Sequence, residues 1–251
     1  NRDKLQKIIN ADNEQTDALT ELYQGLGVKK IHVKEALKIT KLEEKDIENY
    51  DIKDSKKFAS ELRKISKPTL IVANKIDIKG AAKNFQRLRE RYNDMIVVPA
   101  SADSELSLRR AEQKELIKYS PGSEQFNILK ADDINQKQND ALNFIKSDIM
   151  GEYMHTGVQF AINITVFKLL KMNSIYPVTI PEKLSDKNGR VLPDLILLKD
   201  GSTIVDLAKE IHSDLIKGLL YAKDLRYNLR VPINYQLRDR DVISLVSASK
   251  K

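Results

Sequence analysis

The sequence predicts an α/β protein in three parts: a helical segment over residues 1–66, a doubly wound parallel sheet with its helices over 67–173, and a small α+β domain over 174–251. Three observations carry that reading. Up to about residue 66, apolar residues recur at helical spacing with charges between them. From Pro68 the period changes, and two short unbroken apolar runs appear, 69–73 and 95–99, each followed by an amphipathic stretch. Strand–helix–strand–helix with short connections implies a parallel sheet. After Asn173 the texture shifts to short strands around one helix.

Each element has its own warrant. In the first part Leu5, Ile8, Ile9, Leu19, Leu22 and Tyr23 lie near helical spacing, and Gly25-Leu26-Gly27 supplies a stop. Val33, Ala36, Leu37 and Ile39 follow, then Phe58, Leu62 and Ile65. In the second part Thr69–Ala73 reads as a strand buried on both faces. A helix carrying Phe85, Leu88 and Tyr92 leads to a second buried strand, Met95–Pro99, and a helix over 104–117. Two more helices are expected near 134–150 and 157–172. In the third part Ile175–Val178 starts a strand, Ser185–Gly189 is turn-rich, and Leu195–Leu198 is a strand. Thr203 caps a helix over 204–212, and Leu219–Ala222 and Val242–Val246 complete the strands. No internal repeat or low-complexity tract interrupts the chain.

Composition narrows the function. The 251 residues contain no cysteine, which excludes disulfides, zinc fingers, iron–sulfur clusters and a cysteine nucleophile. No apolar run approaches the roughly 18–20 residues that cross a bilayer, and the N-terminus lacks the apolar core of a signal peptide. The expectation by exclusion is a cytoplasmic protein. The first residue is Asn1, with no initiator Met, a hint that the chain starts inside its gene. The formal charge is +7. That charge fits either a solvated Lys/Glu surface or a polyanionic partner such as RNA. From residue 175 onward 13 Lys/Arg face 10 Asp/Glu, so the excess is spread over both ends and locates no RNA-binding face.

The strongest local signal is Asn74-Lys75-Ile76-Asp77, immediately after the first apolar strand. It fits the Asn-Lys-x-Asp pattern of guanine-binding loops. An Asp carboxylate accepts two hydrogen bonds from the guanine N1–H and exocyclic amine, and adenine offers no such donor pair. The Lys stem can lie along the purine face, and the Asn side chain can brace neighbouring loops. A pocket with buried acceptors rejects the base that leaves them unpaired. Open α/β sheets place ligands at the carboxyl ends of their strands, where this motif sits. The next strand ends in Pro99-Ala100-Ser101-Ala102. This matches a short Ser-Ala loop whose backbone N–H faces the guanine O6. Asn74, Lys75, Asp77, Ser101 and Ala102 are the candidate guanine-binding residues.

A working GTPase also needs G-x-x-x-x-G-K-[ST] to cradle phosphates and Mg²⁺. No such stretch occurs in the 251 residues. Gly25-Leu26-Gly27-Val28-Lys29-Lys30 has the wrong spacing. Asp148-Ile149-Met150-Gly151 fits D-x-x-G but ends an expected helix and follows the base-binding loops.

With these motifs in view, residues 67–172 resemble the second half of the G domain of Obg-related, YchF-like GTPases, particularly their archaeal branch. The matching stretches are Lys67–Asp77, Pro99–Leu106 and Thr156-Gly157-Val158-Gln159. Residues 1–66 resemble the helical insertion of that family. Residues 174–249 resemble a TGS domain, a ubiquitin-like β-grasp module, through Leu192-Pro193-Asp194, Lys199–Thr203, Asp206-Leu207-Ala208, Ile211–Leu215 and Leu237–Ile243. The resemblance implies part of a P-loop-NTPase-type sheet, GTP/GDP as ligand, Mg²⁺ in the intact protein, GTP hydrolysis there, and association with the ribosome or RNA; the sequence leaves the oligomeric state open, with a monomer favoured. It also implies that the P-loop part of the G domain lies outside this chain, so no catalytic residue is expected within it.

Lys217, Lys223, Arg226, Arg230, Arg238 and Arg240 are the candidate RNA contacts, interleaved with Asp214, Asp224, Asp239 and Asp241. Tyr227 can stack on a base, whereas Tyr221 lies in an apolar strand and reads as core. His32, His155 and His212 are too scattered for a metal site, and His212 reads as a packing or cap residue. The rival to a GTPase is a non-enzymatic RNA- or ribosome-binding module. A synthetase or alarmone-synthetase reading, borrowed from other TGS-bearing enzymes, finds no catalytic pattern in the chain.

Overall fold

The computed structural model describes residues 15–248, so the expected helical positions Leu5, Ile8 and Ile9 lie outside the described residues. The chain divides into two compact units. One runs to Ile71 and includes Arg91–Val97; the other comprises Val72–Glu90 and everything from Val98 onward.

The first unit contains α1 (Gln15–Tyr23), α2 (Lys30–Thr40) and α3 (Ile52–Ser66). Gly27, with φ of 76°, ends the turn after α1 as its sequence suggested. Leu19, Val33, Ala36, Leu37, Phe58 and Leu62 form the core of this helical unit. Asp51 caps α3: the Asp54 N–H donates to its Oδ1 at 2.7 Å. That bond satisfies one of the orphan donors of the first turn.

β1 (Leu70–Asn74) and β2 (Ile96–Ala100) are hydrogen-bonded neighbours in a two-stranded sheet, with α4 (Ala81–Arg91) between them in sequence. Each strand starts one residue later than its apolar run. β1 is not buried on both faces as expected, because Val72 is 45 % exposed. A strand in a two-stranded sheet lacks the covering layers that bury a parallel strand in a larger one.

After β2 come α5 (Ala102–Gln113) and a short antiparallel pair, β3 (Ile117–Lys118) and β4 (Asn127–Ile128), which apolar patterning did not reveal. α6 (Gln136–Phe144) passes into a π-helical turn, Ile145–Met150, then α7 (Gly151–Tyr153). α8 (Val158–Asn163) passes into another π-helical turn, Ile164–Leu169. The two long helices expected here are thus each interrupted by a wider turn. Leu108, Ile117, Tyr119, Phe126, Leu142 and Ile145 form the apolar cluster of this stretch.

The C-terminal sheet contains β5 (Met172–Pro177), β6 (Ile196–Lys199), β7 (Leu219–Asp224), β8 (Leu229–Val231) and β9 (Asp241–Ser247). Their order is β6-β5-β9-β7-β8, with β5 and β9 parallel at the centre and the other pairs antiparallel. α9 (Ile204–Ile211) buries Ile204, Leu207 and Ala208, and Ile175, Ala222 and Ile243 complete the core. The Thr203 N–H donates to Asp206 Oδ2 at 2.8 Å, closing the expected cap. A mixed sheet with one helix on one face is the β-grasp arrangement. It begins at Met172, so a boundary at 173–174 falls inside its first strand. α10 (Ser213–Gly218) and β8 are too short and polar to have been read from the sequence.

Candidate functional site

At the end of β1 the chain turns sharply. Lys75 has φ of 67°, a left-handed conformation that costs a non-glycine residue about 1–2 kcal/mol. The turn exposes the Lys75 side chain while Ile76 stays buried. The Ile76 N–H donates to Ala100 O at 3.1 Å and the Ile78 N–H to Lys75 O at 3.1 Å. These bonds tie the first loop to the end of β2 and close it on itself.

Asn74 performs the bracing its type allows. Its Oδ1 accepts from the Ala102 N–H at 3.1 Å, linking residues 28 apart in the chain. Asp77 is half-buried, and its Oδ1 is fully buried with no hydrogen-bond partner. A buried carboxylate oxygen without a donor costs about 1–3 kcal/mol or more. Such a group in a loop is a natural receptor for ligand N–H donors.

The second loop is held from within. Ser101 is completely buried, and its N–H donates to Thr156 O at 2.8 Å. Its Oγ accepts from the Ser104 N–H at 3.2 Å and so caps α5. Ser101 therefore shapes the loop. The Ala102 N–H is held by Asn74. A crevice of about 240 Å³ beside the motif is lined by Asn74, Lys75, Ile76, Asn84, Phe85 and Leu88, among others, but not by Asp77, Ser101 or Ala102.

Behind the loops lies a polar network that sequence reasoning did not assign. Glu105 is 4 % exposed. Its Oε1 accepts from Arg109 Nε at 2.6 Å, and its Oε2 from the Tyr119 hydroxyl at 2.8 Å and from the Thr156 hydroxyl. Burial alone would raise the Glu105 carboxyl, but hydrogen bonds from Thr156, Arg109 and Tyr119 hold it below the usual carboxylate range. Burial, with Glu105 beside it, pushes the Tyr119 hydroxyl up to about 12. Gly157 has φ of 87°, and a side-chain carbon there would overlap Pro99 O and lie 2.6 Å from Ala100 Cα. The one signal available was the stretch Thr156–Gln159 itself.

Comparisons with known proteins now bear on this geometry. Residues 72–179 match the family described as "Obg-like GTPase YGR210-like, G4 motif-containing domain", and residues 185–247 match the TGS domain. An uncharacterised GTP-binding protein of Methanocaldococcus jannaschii is 39 % identical over 254 residues, spanning all of this chain and 62 % of that protein. The crystal structure of a GTP-binding protein from Pyrococcus horikoshii is 35 % identical, with a TM-score of 0.75 over 98 % of this chain and 64 % of the other. An uncharacterised GTP-binding protein of Schizosaccharomyces pombe is 27 % identical over 166 residues, 62 % of this chain and 40 % of that protein. The chain is thus similar to an Obg-like, G4-motif-containing domain followed by a TGS domain.

The chain spans less than two thirds of the length of these relatives. Within it, the six candidate RNA contacts have different partners. Lys223 and Arg230 are direct cross-strand partners on β7 and β8, and both are exposed. The Arg230 guanidinium lies 3.8 Å from the Tyr221 ring centroid. Tyr221 is therefore half-buried beneath an arginine and not in the core. Arg226 is engaged internally: its Nη1 donates to Asp239 O at 3.0 Å and its Nη2 to the Tyr227 hydroxyl at 2.9 Å. Lys217 pairs with Asp214 at 3.1 Å and Arg240 with Asp239 at 3.6 Å. Arg238 lines a crevice of about 480 Å³ with Asn173, Asp200 and Tyr235.

The histidines bind no common centre. The His212 Nδ1 accepts from the Asp214 N–H at 3.2 Å, capping α10, and the His32 Nδ1 accepts from the Lys29 N–H at 3.2 Å. His155 stacks on Phe160 at 4.2 Å, and burial holds its imidazole below the usual histidine range. Among the described residues no group of three or more His, Asp or Glu could hold a metal ion. Among them, too, no helix is long and apolar enough to cross a membrane.

Proposed function

We propose that this chain supplies base recognition in a GTP-binding protein, through Asp77 as the reader of the guanine N1–H and amine, Asn74 as the brace and Lys75 as cover for the purine face. The intact protein hydrolyses GTP in the cytoplasm. The observation that carries the reading is the unpartnered buried Asp77 Oδ1 beside the Asn74–Ala102 bridge. Phosphoryl transfer in such enzymes rests on positioning and on Mg²⁺ around the phosphates. The 251 residues contain no G-x-x-x-x-G-K-[ST] stretch to cradle those phosphates, so no step of transfer is assigned to them. In the intact protein Asp77→Asn should weaken GTP binding about 100-fold and erase the preference over ATP, because it exchanges an acceptor for a donor facing the base. Unchanged affinity and preference in a nucleotide titration would sink the assignment.

A second function, contact with ribosomal or other RNA, is supported by the exposed Lys223–Arg230 pair with Tyr221 and Tyr227 nearby. Steep loss of RNA affinity with salt supports it, and a flat response counts against it. If the intact protein bound RNA but neither bound nor hydrolysed GTP, the non-enzymatic module would be the better description.

A further inference from the structure

We propose that Glu105 and Thr156 are positioning residues of the guanine site, setting the place of the Ser101–Ala102 turn from behind. The inference rests on the guanine reading above and adds to it two residues that do not face the nucleotide.

Ser101 is gripped at three points. Its N–H donates to Thr156 O at 2.8 Å, its carbonyl accepts from the Glu105 N–H at 3.1 Å, and its Oγ accepts from the Ser104 N–H. Two of those grips come from residues joined to each other, since the Thr156 hydroxyl donates to Glu105 Oε2 across 51 residues of chain. Both are buried, at 1 % and 4 % exposure. Gly157 then presses the 156–157 turn against Pro99 and Ala100 so closely that no side chain fits. The next residue after Ser101 is Ala102, whose N–H meets Asn74. A shift of Thr156 is therefore passed through Ser101 to the Asn74–Ala102 bridge. Recognition constellations work only when held within about 0.5 Å by locked neighbours. Glu105 provides the lock: Tyr119 and Arg109 occupy its other lone pairs, so it stays ionised and in place.

A role in stability alone predicts something different, and the test separates the two. Thr156→Val removes the hydroxyl donor at nearly constant size, Glu105→Gln turns one acceptor oxygen into a donor, and Thr156→Ser keeps the hydroxyl. Leu142→Ala, in the apolar cluster that also holds the Tyr119 ring, lowers stability while removing no donor or acceptor of the network. In the intact protein, Thr156→Val and Glu105→Gln should each raise the Kd for GDP about tenfold and shrink the GDP-over-ADP preference, the loss expected when a charged hydrogen bond is broken and partly transmitted. Thr156→Ser should restore both. Leu142→Ala should lower the melting temperature and leave both unchanged. The proposal is overturned if the folded Thr156→Val and Glu105→Gln proteins bind GDP as the parent does, or if Leu142→Ala weakens binding equally. If the parent shows no preference for GDP and Asp77→Asn changes nothing, the guanine reading itself has failed.

Discussion

The strand–helix region and the β-grasp region each bury a carboxylate, and the two fare differently. Glu105 has three side-chain donors and is held below the usual carboxylate range. Asp241 is completely buried, yet its Oδ1 has no hydrogen-bond partner; its Oδ2 accepts from the Arg238 N–H at 2.8 Å, and the Tyr235 hydroxyl nearby adds only a weak pull toward the charged form. Arg226 Nη1 stands off at 3.9 Å, and Asp224, also buried, adds like charge. Burial first, then Asp224, raise the Asp241 carboxyl. The contrast teaches that burial alone does not set the direction in which a carboxyl pKa moves; the donors within reach decide it. The first region spends its charge on a fixed loop, and the second tolerates a charge it would do better without.

That comparison can be broken at several points. The largest effect should come from Gly157→Ala, where a positive φ and overlap with Pro99 and Ala100 combine. We expect a loss of at least about 3 kcal/mol in chemical denaturation. Glu105→Ala should cost about 3 kcal/mol, because it strands the buried hydroxyls of Tyr119 and Thr156 together. Asp241→Asn should go the other way, raising the melting temperature by roughly 2–4 °C for about 1 kcal/mol gained in a chain of this size. A fall on that substitution would mean that the distant Arg226 matters more than the unpaired oxygen.

The pH dependence sharpens the same contrast. For Asp241 the folded pKa lies above the unfolded value, so its contribution is fully present below the unfolded pKa and is lost as pH rises through the folded one. For Glu105 the folded pKa lies below the unfolded value, so its contribution is present above the unfolded pKa and is lost as pH falls through the folded one. Asp241→Asn should therefore remove a decline in stability above about pH 4, and Glu105→Gln should flatten the acid limb. Denaturation midpoints across a pH series read both. The smallest effect belongs to the sheet surface: Arg230→Ala or Lys223→Ala should each lower the salt slope of RNA binding by about one and leave the melting temperature nearly unchanged.

What was legible in the sequence follows from the range of the interactions. The strands ending in Asn74 and Ala100, the Thr203 cap and the guanine motif are set by neighbours within a few residues. The bracing role of Asn74 was legible because it is a property of the residue type. Glu105 was not, because it sits on an ordinary helix and one of its partners lies 51 residues away. Tyr221 was misread as core because an apolar run does not reveal that an arginine on the next strand covers the ring. Arg226 looked like a surface cation, but its partners Asp239 and Asp241 belong to a later strand and the turn before it.

The bond between Asn74 Oδ1 and the Ala102 N–H has a thermal consequence. If a guanine O6 takes that N–H, the base must displace Asn74, so one hydrogen bond is traded for another. The exchange contributes little heat of its own. The enthalpy of base recognition would then arise chiefly at Asp77, where an oxygen without a partner acquires one. Nucleotides that lack the donor pair would not gain that term.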